Sequence, residues 1–484
     1  MGKKPEGIVR NTFFNSVAGM AGKVGGLLFT VVIARLLGPG SFGEFALAMS
    51  VITFVTAFAD SGLHNTMLRF VANPVLREKR QTSGFFYLIL AAKVALTLVL
   101  AWSFALLTPE NTQAWFGSRA IATLFVVGAA VFASKTLQEF FSFALMGVQD
   151  FKGILYSETL FQVARFALAV YLIQSGLGSL GPLYATLLAA VAALLLEVLL
   201  LATRNQHVLV PFNFSKNKAE VASFLKYTSI FSILSIGLAN VDPIIAGILF
   251  STEDVGFLRT ATAIPTALAV AFGVGVLYPA FVESKKERLE LVANKGIYYL
   301  ALGGSLAAAL VSGLSVETVQ VLFGEKYLPA AALLAVTAYL MILEGVNGAF
   351  LGLYFARDKP KTNAKIHAVV FALDVALAYY LGSQFGLLGL VSGIVASRSI
   401  MTALYWFNAR QAFGLRLDAL KPLKLLLSAV LVAVFLKLLP AAGALWAAPK
   451  ALLGVLAFTA VAGTLKAASM QDLKFVIERL MRKN

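Results

Sequence analysis

The chain has 484 residues, 59% hydrophobic and only 13% charged, with a mean hydropathy of +0.83 and a net charge of +16. It has no cysteine, which excludes disulfides, thiolate chemistry, Cys-ligated zinc and iron–sulfur sites. Its three histidines, His64, His207 and His367, lie too far apart to suggest a metal-ligand set. The basic residues mostly flank apolar stretches, a pattern of membrane topology and anionic lipid rather than of nucleic-acid binding.

A bilayer core about 30 Å thick is crossed by about 20 residues of helix. Such stretches are predicted at 12–35, 43–68, 83–107, 119–146, 153–173, 181–203, 221–250, 256–282, 294–314, 328–355, 364–382, 387–407, 423–440 and 447–466. The expected fold is all-α, a polytopic membrane protein with about 14 transmembrane helices. The longest gap, from Arg204 to Val221, is too short for a catalytic domain. Lys3, Lys4 and Arg10 precede the first stretch, which is too long for a cleaved signal peptide.

Gly38-Pro39-Gly40-Ser41-Phe42-Gly43 matches a dinucleotide-binding pattern but joins two apolar spans, so that reading is rejected. Basic residues gather in the even-numbered gaps. Arg69, Arg77, Lys79 and Arg80 follow span 2; Lys285, Lys286, Arg288 and Lys295 follow span 8; Arg357, Lys359, Lys361 and Lys365 follow span 10. The odd gaps hold few, namely Arg35, Arg119, Lys326 and Lys450. This asymmetry predicts a cell-membrane protein with both termini in the cytoplasm. In the tail, Leu473, Val476, Ile477 and Leu480 share one helical face, which fits a short amphipathic helix on the inner surface or a frayed polar end.

The chain repeats itself. Gly117 and Gly324, each ending an aromatic-glycine pair, stand 207 apart. Tyr171 and Tyr379, Gly181 and Gly389, and Asp150 and Asp358 each stand 208 apart, and Ile33-Ala34 and Ile245-Ala246 stand 212 apart. Two parallel-repeat six-helix lobes plus two extra C-terminal helices are therefore expected. The division would be 1–210, 211–415 and 416–484.

A charge at the bilayer centre costs about 2.5–3.5 kcal/mol on insertion scales, so it must face protein or water. Lys23 is mid-span among Gly19, Gly22, Gly25 and Gly26, a face suited to close packing or to a hydrated cavity with a cation. Arg259 opens span 8, with Pro265 and Pro279 expected in the same span as kinks. Asp242, before Pro243, and Asp374 could bind Na⁺ or carry H⁺, or pair with Arg398. Asp60, Glu344, Glu158 and Arg165 also interrupt spans. Lys135 and Glu139 are four apart and suited to pair, and Lys93 and Glu197 are expected to snorkel towards an interface.

Ile33-Ala34-Arg35-Leu36-Leu37-Gly38-Pro39-Gly40-Ser41-Phe42-Gly43-Glu44-Phe45 resembles the start of polysaccharide exporters, the lipid-linked oligosaccharide flippases often called Wzx. Ala59-Asp60-Ser61-Gly62-Leu63 and Leu322-Phe323-Gly324-Glu325-Lys326-Tyr327 extend the likeness to the MOP superfamily. The resemblance implies two lobes around a central cavity and alternating access without ATP hydrolysis. It also implies a non-enzymatic transporter that flips a polyprenyl-(pyro)phosphate-linked oligosaccharide from the cytoplasmic to the outer leaflet.

Related lipid II flippases carry a basic residue matching Lys23 and an Arg near Arg259. A second span-1 Arg of theirs falls near Phe29 or Thr30 here, a departure that argues against lipid II itself. The expected substrate contacts are Lys23, Arg259, Arg35, Asp60, Glu344 and Arg398. Asp242 and Asp374 are the expected ion-coupling pair, matching the acidic Na⁺-site positions of that family. No cofactor is expected beyond Na⁺ or H⁺, and the expected partners are the lipid-linked oligosaccharide, membrane lipids and polysaccharide-assembly proteins. A multidrug antiporter of the same superfamily is the alternative; a membrane glycosyltransferase or polymerase would need a large loop or domain that is not visible.

Overall fold

The computed structural model describes residues 5–60, 62–64, 82–204, 218–269, 277–440 and 446–468; the side chains of 5–18, 20, 21, 23, 82–85, 218–228, 269, 286 and 287 lie outside that description. Among the described residues every regular element is a helix. The elements of the first half are α1 (Pro5–Asp60), α2 (Thr82–Ser103), α3 (Pro109–Phe116), α4 (Ile121–Gly147), α5 (Phe151–Leu172), α6 (Leu180–Arg204) and α7 (Lys218–Leu249). They are followed by α8 (Thr252–Ala269), α9 (Tyr278–Glu283), α10 (Lys286–Gly313), α11 (Ser315–Leu322), α12 (Ala330–Thr337), α13 (Leu340–Ala356), α14 (Pro360–Phe413), α15 (Leu420–Leu438) and α16 (Ala447–Thr464).

Two of these helices are hairpins. At Gly38 the backbone takes φ 75° and ψ 169°, a conformation that favours glycine. Phe29 and Phe45 then meet with ring centroids 6.2 Å apart, whereas 16 residues of straight helix would separate them by about 24 Å. Gly386, with φ 66°, does the same in α14, bringing Ser397 to donate a hydrogen bond to Asp374. Each hairpin thus holds two of the predicted spans.

Among the described residues, ten segments are long and apolar enough to cross a membrane. Length and composition do not reproduce the predicted count of about 14. Two of the ten are the hairpins, and α15 and α8 are not among them. The span predicted at 256–282 is divided between α8 and α9, so Pro265 and Pro279 do not share a helix. The predicted amphipathic tail lies outside the described residues.

Repeat landmarks reappear as backbone geometry. Gly117 and Gly324 both have positive φ, 67° and 91°, at the ends of α3 and α11. Gly178 and Gly386, 208 apart, both have positive φ in the matching turns. The Asp150–Asp358 match is off by one: left-handed Asp358 corresponds to left-handed Gln149. Asp150 instead caps α5, its Oδ1 accepting from the Gly153 N–H at 2.9 Å.

The described chain forms two compact units, Met1–Gly256 and Phe257–Asn484. In the first, α5 and α4 pack on α6, and α1 packs on α4, α5 and α7. In the second, α10 packs on α13 and α15, α13 on α14, and α15 on α16.

Candidate functional site

In the first unit, the glycines of α1 are divided between two roles. A Cβ on Gly22 would meet Glu158 Oε1 at 2.8 Å, and one on Gly25 would meet the Gln162 side chain at 3.2 Å. These two glycines make room for polar side chains of α5. Gly19 and Gly26, which share the register of Lys23, have nothing within 4 Å. Lys23 therefore occupies the helix face not packed on α5; its side chain lies outside the described residues.

The polar groups of α5 form a chain. Gln162 donates to Glu158 Oε1 at 2.6 Å and to the Gly22 carbonyl at 3.3 Å. Arg165 donates to Gln162 Oε1 at 2.6 Å. Its guanidinium lies 4.0 Å from the Phe29 ring centre and 5.0 Å from that of Phe161. The Phe29 ring of α1 is thus covered by a guanidinium delivered from α5. Sequence alone could not find it, because Phe29 and Arg165 are 136 residues apart.

Lys135 sits over the other part of this cluster. It pairs with Glu139 at 3.5 Å, as expected, and donates to Gln138 Oε1 at 3.0 Å. Gln138 and Ser157 donate to Glu197 Oε1 at 2.8 and 2.6 Å. Glu197 is fully buried rather than snorkelling. Lys93 is fully buried too, and its Nζ has no hydrogen-bond partner among the described residues. Register along one helix does not reveal which neighbouring helix covers the side chain, which is why both snorkelling expectations fail.

Arg35 is exposed beyond the buried end of its apolar stretch. Asp60 is 4% exposed, and its Oδ1 is 2.8 Å from His64 Nδ1 and accepts the His64 backbone N–H at 3.2 Å. His64 stacks on Phe143 at 4.5 Å. Asp242 is buried in α7 of the first unit, just before Pro243.

In the second unit, Arg398 is the centre of a triad. Its Nε is 3.1 Å from Glu344 Oε1, and its Nη1 is 3.2 Å from Asp374 Oδ1. Asp374 is fully buried, whereas the Glu344 side chain is 43% exposed. Between ion binding and pairing with Arg398, the geometry at Asp374 is that of pairing. Arg259 lies half-buried in α8, and its guanidinium makes no hydrogen bond or ion pair among the described residues. Asp242 and Asp374 belong to different units. No group of His, Asp and Glu that could hold a metal ion occurs among the described residues.

Two features were missed from sequence. Lys450, expected in a gap, is inside α16 and buried, donating to Glu317 Oε1 of α11 at 2.6 Å. Gly43 and Gly256, 213 apart and near the repeat offset, mark a backbone-to-backbone contact. A Cβ on Gly43 would lie 1.6 Å from the Thr252 carbonyl oxygen, and one on Gly256 would lie 2.3 Å from that of Pro39.

Residues 8–285, more than half of the chain, match the polysaccharide biosynthesis protein family. No curated protein sequence matches. The fold is shared with the lipid II flippase MurJ in an inward closed conformation, with a TM-score of 0.75 and 13% identity over 93% of this chain and 98% of that one. An inward-facing multidrug resistance MATE family transporter of the MOP superfamily aligns with a TM-score of 0.66 and 18% identity, over 81% of this chain and 94% of that one. A MOP superfamily transporter from Pyrococcus furiosus, reported to have a binding pocket of reverse polarity, aligns at 0.59 and 17% identity, over 84% of this chain and 95% of that one.

Proposed function

The chain belongs to the polysaccharide biosynthesis protein family, and on that premise we propose that it flips a polyprenyl-(pyro)phosphate-linked oligosaccharide across the cell membrane without catalysing a reaction. It is a multi-pass membrane protein, and its termini are assigned to the cytoplasm from the basic gaps. A sugar-phosphate head cannot cross hydrocarbon, while its polyprenyl tail can stay there. The protein must therefore give the head a hydrated path and offer cations to the phosphate.

The observation that carries this reading is Arg259, a half-buried guanidinium with no partner in the described structure. A half-buried cation without a counter-ion among the described residues fits an anionic cargo. Lys23, on the α1 face not packed against α5, is assigned the same role, with Arg35 at the outer end of its stretch. Glu344 and Arg398 would reach the cargo by opening their ion pair, and Asp60 would tune the cycle through His64. Ion coupling through Asp374 would require Na⁺ or H⁺ to replace Arg398 at its carboxylate; Asp242 is assigned the second coupling position. The partners are the lipid-linked oligosaccharide, membrane lipids and polysaccharide-assembly proteins.

The likeness to the MATE transporter supports multidrug antiport as the second reading. The unpaired Arg259 weighs against cationic drugs. The two are separated by expressing Lys23→Ala and Arg259→Ala in a host lacking its own exporter. Loss of surface polysaccharide with normal membrane insertion supports the flippase. Full polysaccharide together with altered drug resistance would overturn it.

A further inference from the structure

Where α10, α15 and α16 meet, the second unit holds a cavity of about 640 Å³. Lys295, Lys421 and Lys466 line it together with Tyr298, Tyr299 and Asp418. None of the three ammonium groups has a carboxylate partner among the described residues. Lys421 Nζ lies 5.7 Å from the centre of the Tyr298 ring.

The one carboxylate among the described lining residues is already engaged. Asp418 Oδ1 accepts the Leu420 N–H at 3.0 Å, at the start of α15. Its own N–H donates to Asn294 Oδ1 at 2.8 Å, and Asn294 Nδ2 donates to the Arg416 carbonyl at 3.0 Å. This loop is tied to α10, which fixes Lys421 opposite Lys295. Lys466 follows the last turn of α16 with φ 51°, a backbone conformation uncommon for a side chain larger than glycine. Its N–H donates to the Gly463 carbonyl at 3.0 Å, and the next N–H, of Ala467, to Ala462 at 2.8 Å.

The cavity stands at the ends of apolar helices, where a bilayer has its headgroups. The span Arg288–Gly313 begins there and Ala447–Thr464 ends there. Leu291, Leu420 and Leu423 beside it are 52%, 62% and 60% exposed, an apolar surface suited to acyl chains. Basic pockets between helix ends at this level take anionic lipid heads.

We propose that this cavity binds the phosphate head of a resident anionic membrane lipid, which holds α15 and α16 against α10. The site uses none of the residues assigned to the transported cargo.

The test is lipid binding by the purified full chain in nanodiscs of phosphatidylcholine with graded phosphatidylglycerol, read by native mass spectrometry. Separate arms contain inorganic phosphate and a polyprenyl monophosphate. The three lysines are exposed and have no carboxylate partner among the described residues, so Lys295→Ala, Lys421→Ala and Lys466→Ala should leave the fold intact; unchanged helical content and elution volume check this. Each single variant should weaken phosphatidylglycerol binding about five-fold, and the triple variant on the order of 100-fold. Lys326→Ala, remote from the cavity in sequence and on the other predicted side, should change nothing. Equal binding by wild type and triple variant would overturn the site. Lysine-dependent binding of polyprenyl phosphate but not phosphatidylglycerol would assign it to the carrier lipid instead. Binding of inorganic phosphate alone would rule out a lipid.

Discussion

Gly43→Ala is the sharpest structural perturbation available. Its Cβ would sit 1.6 Å from the Thr252 carbonyl oxygen and 2.6 Å from the carbonyl carbon. Non-bonded heavy atoms settle near about 3.5 Å, so the two backbone segments must part by roughly 2 Å. Neither partner is a flexible side chain that could swing away. Gly256→Ala meets Pro39 O at 2.3 Å, so it needs roughly 1 Å of the same movement.

Overpacking costs about 1–3 kcal/mol, which places Gly43→Ala at the upper end and Gly256→Ala near the lower. One separation relieves both clashes. The double variant should therefore cost about as much as Gly43→Ala alone, a non-additive result expected only of sites sharing one displacement. Gly40→Ala, with nothing within 4 Å, is the control. The assay is thermal unfolding of the purified single and double variants. A wild-type midpoint for Gly43→Ala, or strictly additive losses in the double variant, would refute the contact.

Three other outcomes are expected. Glu317→Gln should destabilise by about 3–5 kcal/mol, because Lys450 is left buried and unpaired; replacing both by apolar residues should recover most of the loss in chemical unfolding. Arg398→Met should cost a similar about 3–5 kcal/mol through Asp374, and Glu344→Gln much less, since Glu344 is part-exposed; unfolding midpoints give the order. Collapsing Na⁺ and H⁺ gradients separately in vesicles should slow flipping under one of the two, and no change under either would remove Asp242 and Asp374 from coupling.

The periodicity of apolar residues displayed the helices and left Gly38 and Gly386 in gaps between predicted spans. The i,i+4 pair of Lys135 and Glu139 was also legible, because both partners lie on one helix. Pairings across helices were not. Glu317 and Lys450 are 133 residues apart, and no local pattern joins Arg165 to Phe29 or Glu197 to Gln138. Burial follows from the neighbouring helix, so Lys93 and Glu197 looked like interfacial charges although both are fully enclosed. Lys23 stood out in sequence, but only Gly22 and Gly25 against α5 define which face of its helix is left over.

In the proposed cycle Lys23 and Arg259 carry the phosphate of a lipid-linked sugar. The direct measurement is the rate at which purified protein in sealed vesicles exposes a fluorescent polyprenyl-pyrophosphate oligosaccharide to an external quencher. Wild type should flip it, and Arg259→Ala and Lys23→Ala should each approach the protein-free rate while Arg259→Lys retains part of the activity. Undiminished flipping in both alanine variants would contradict the account.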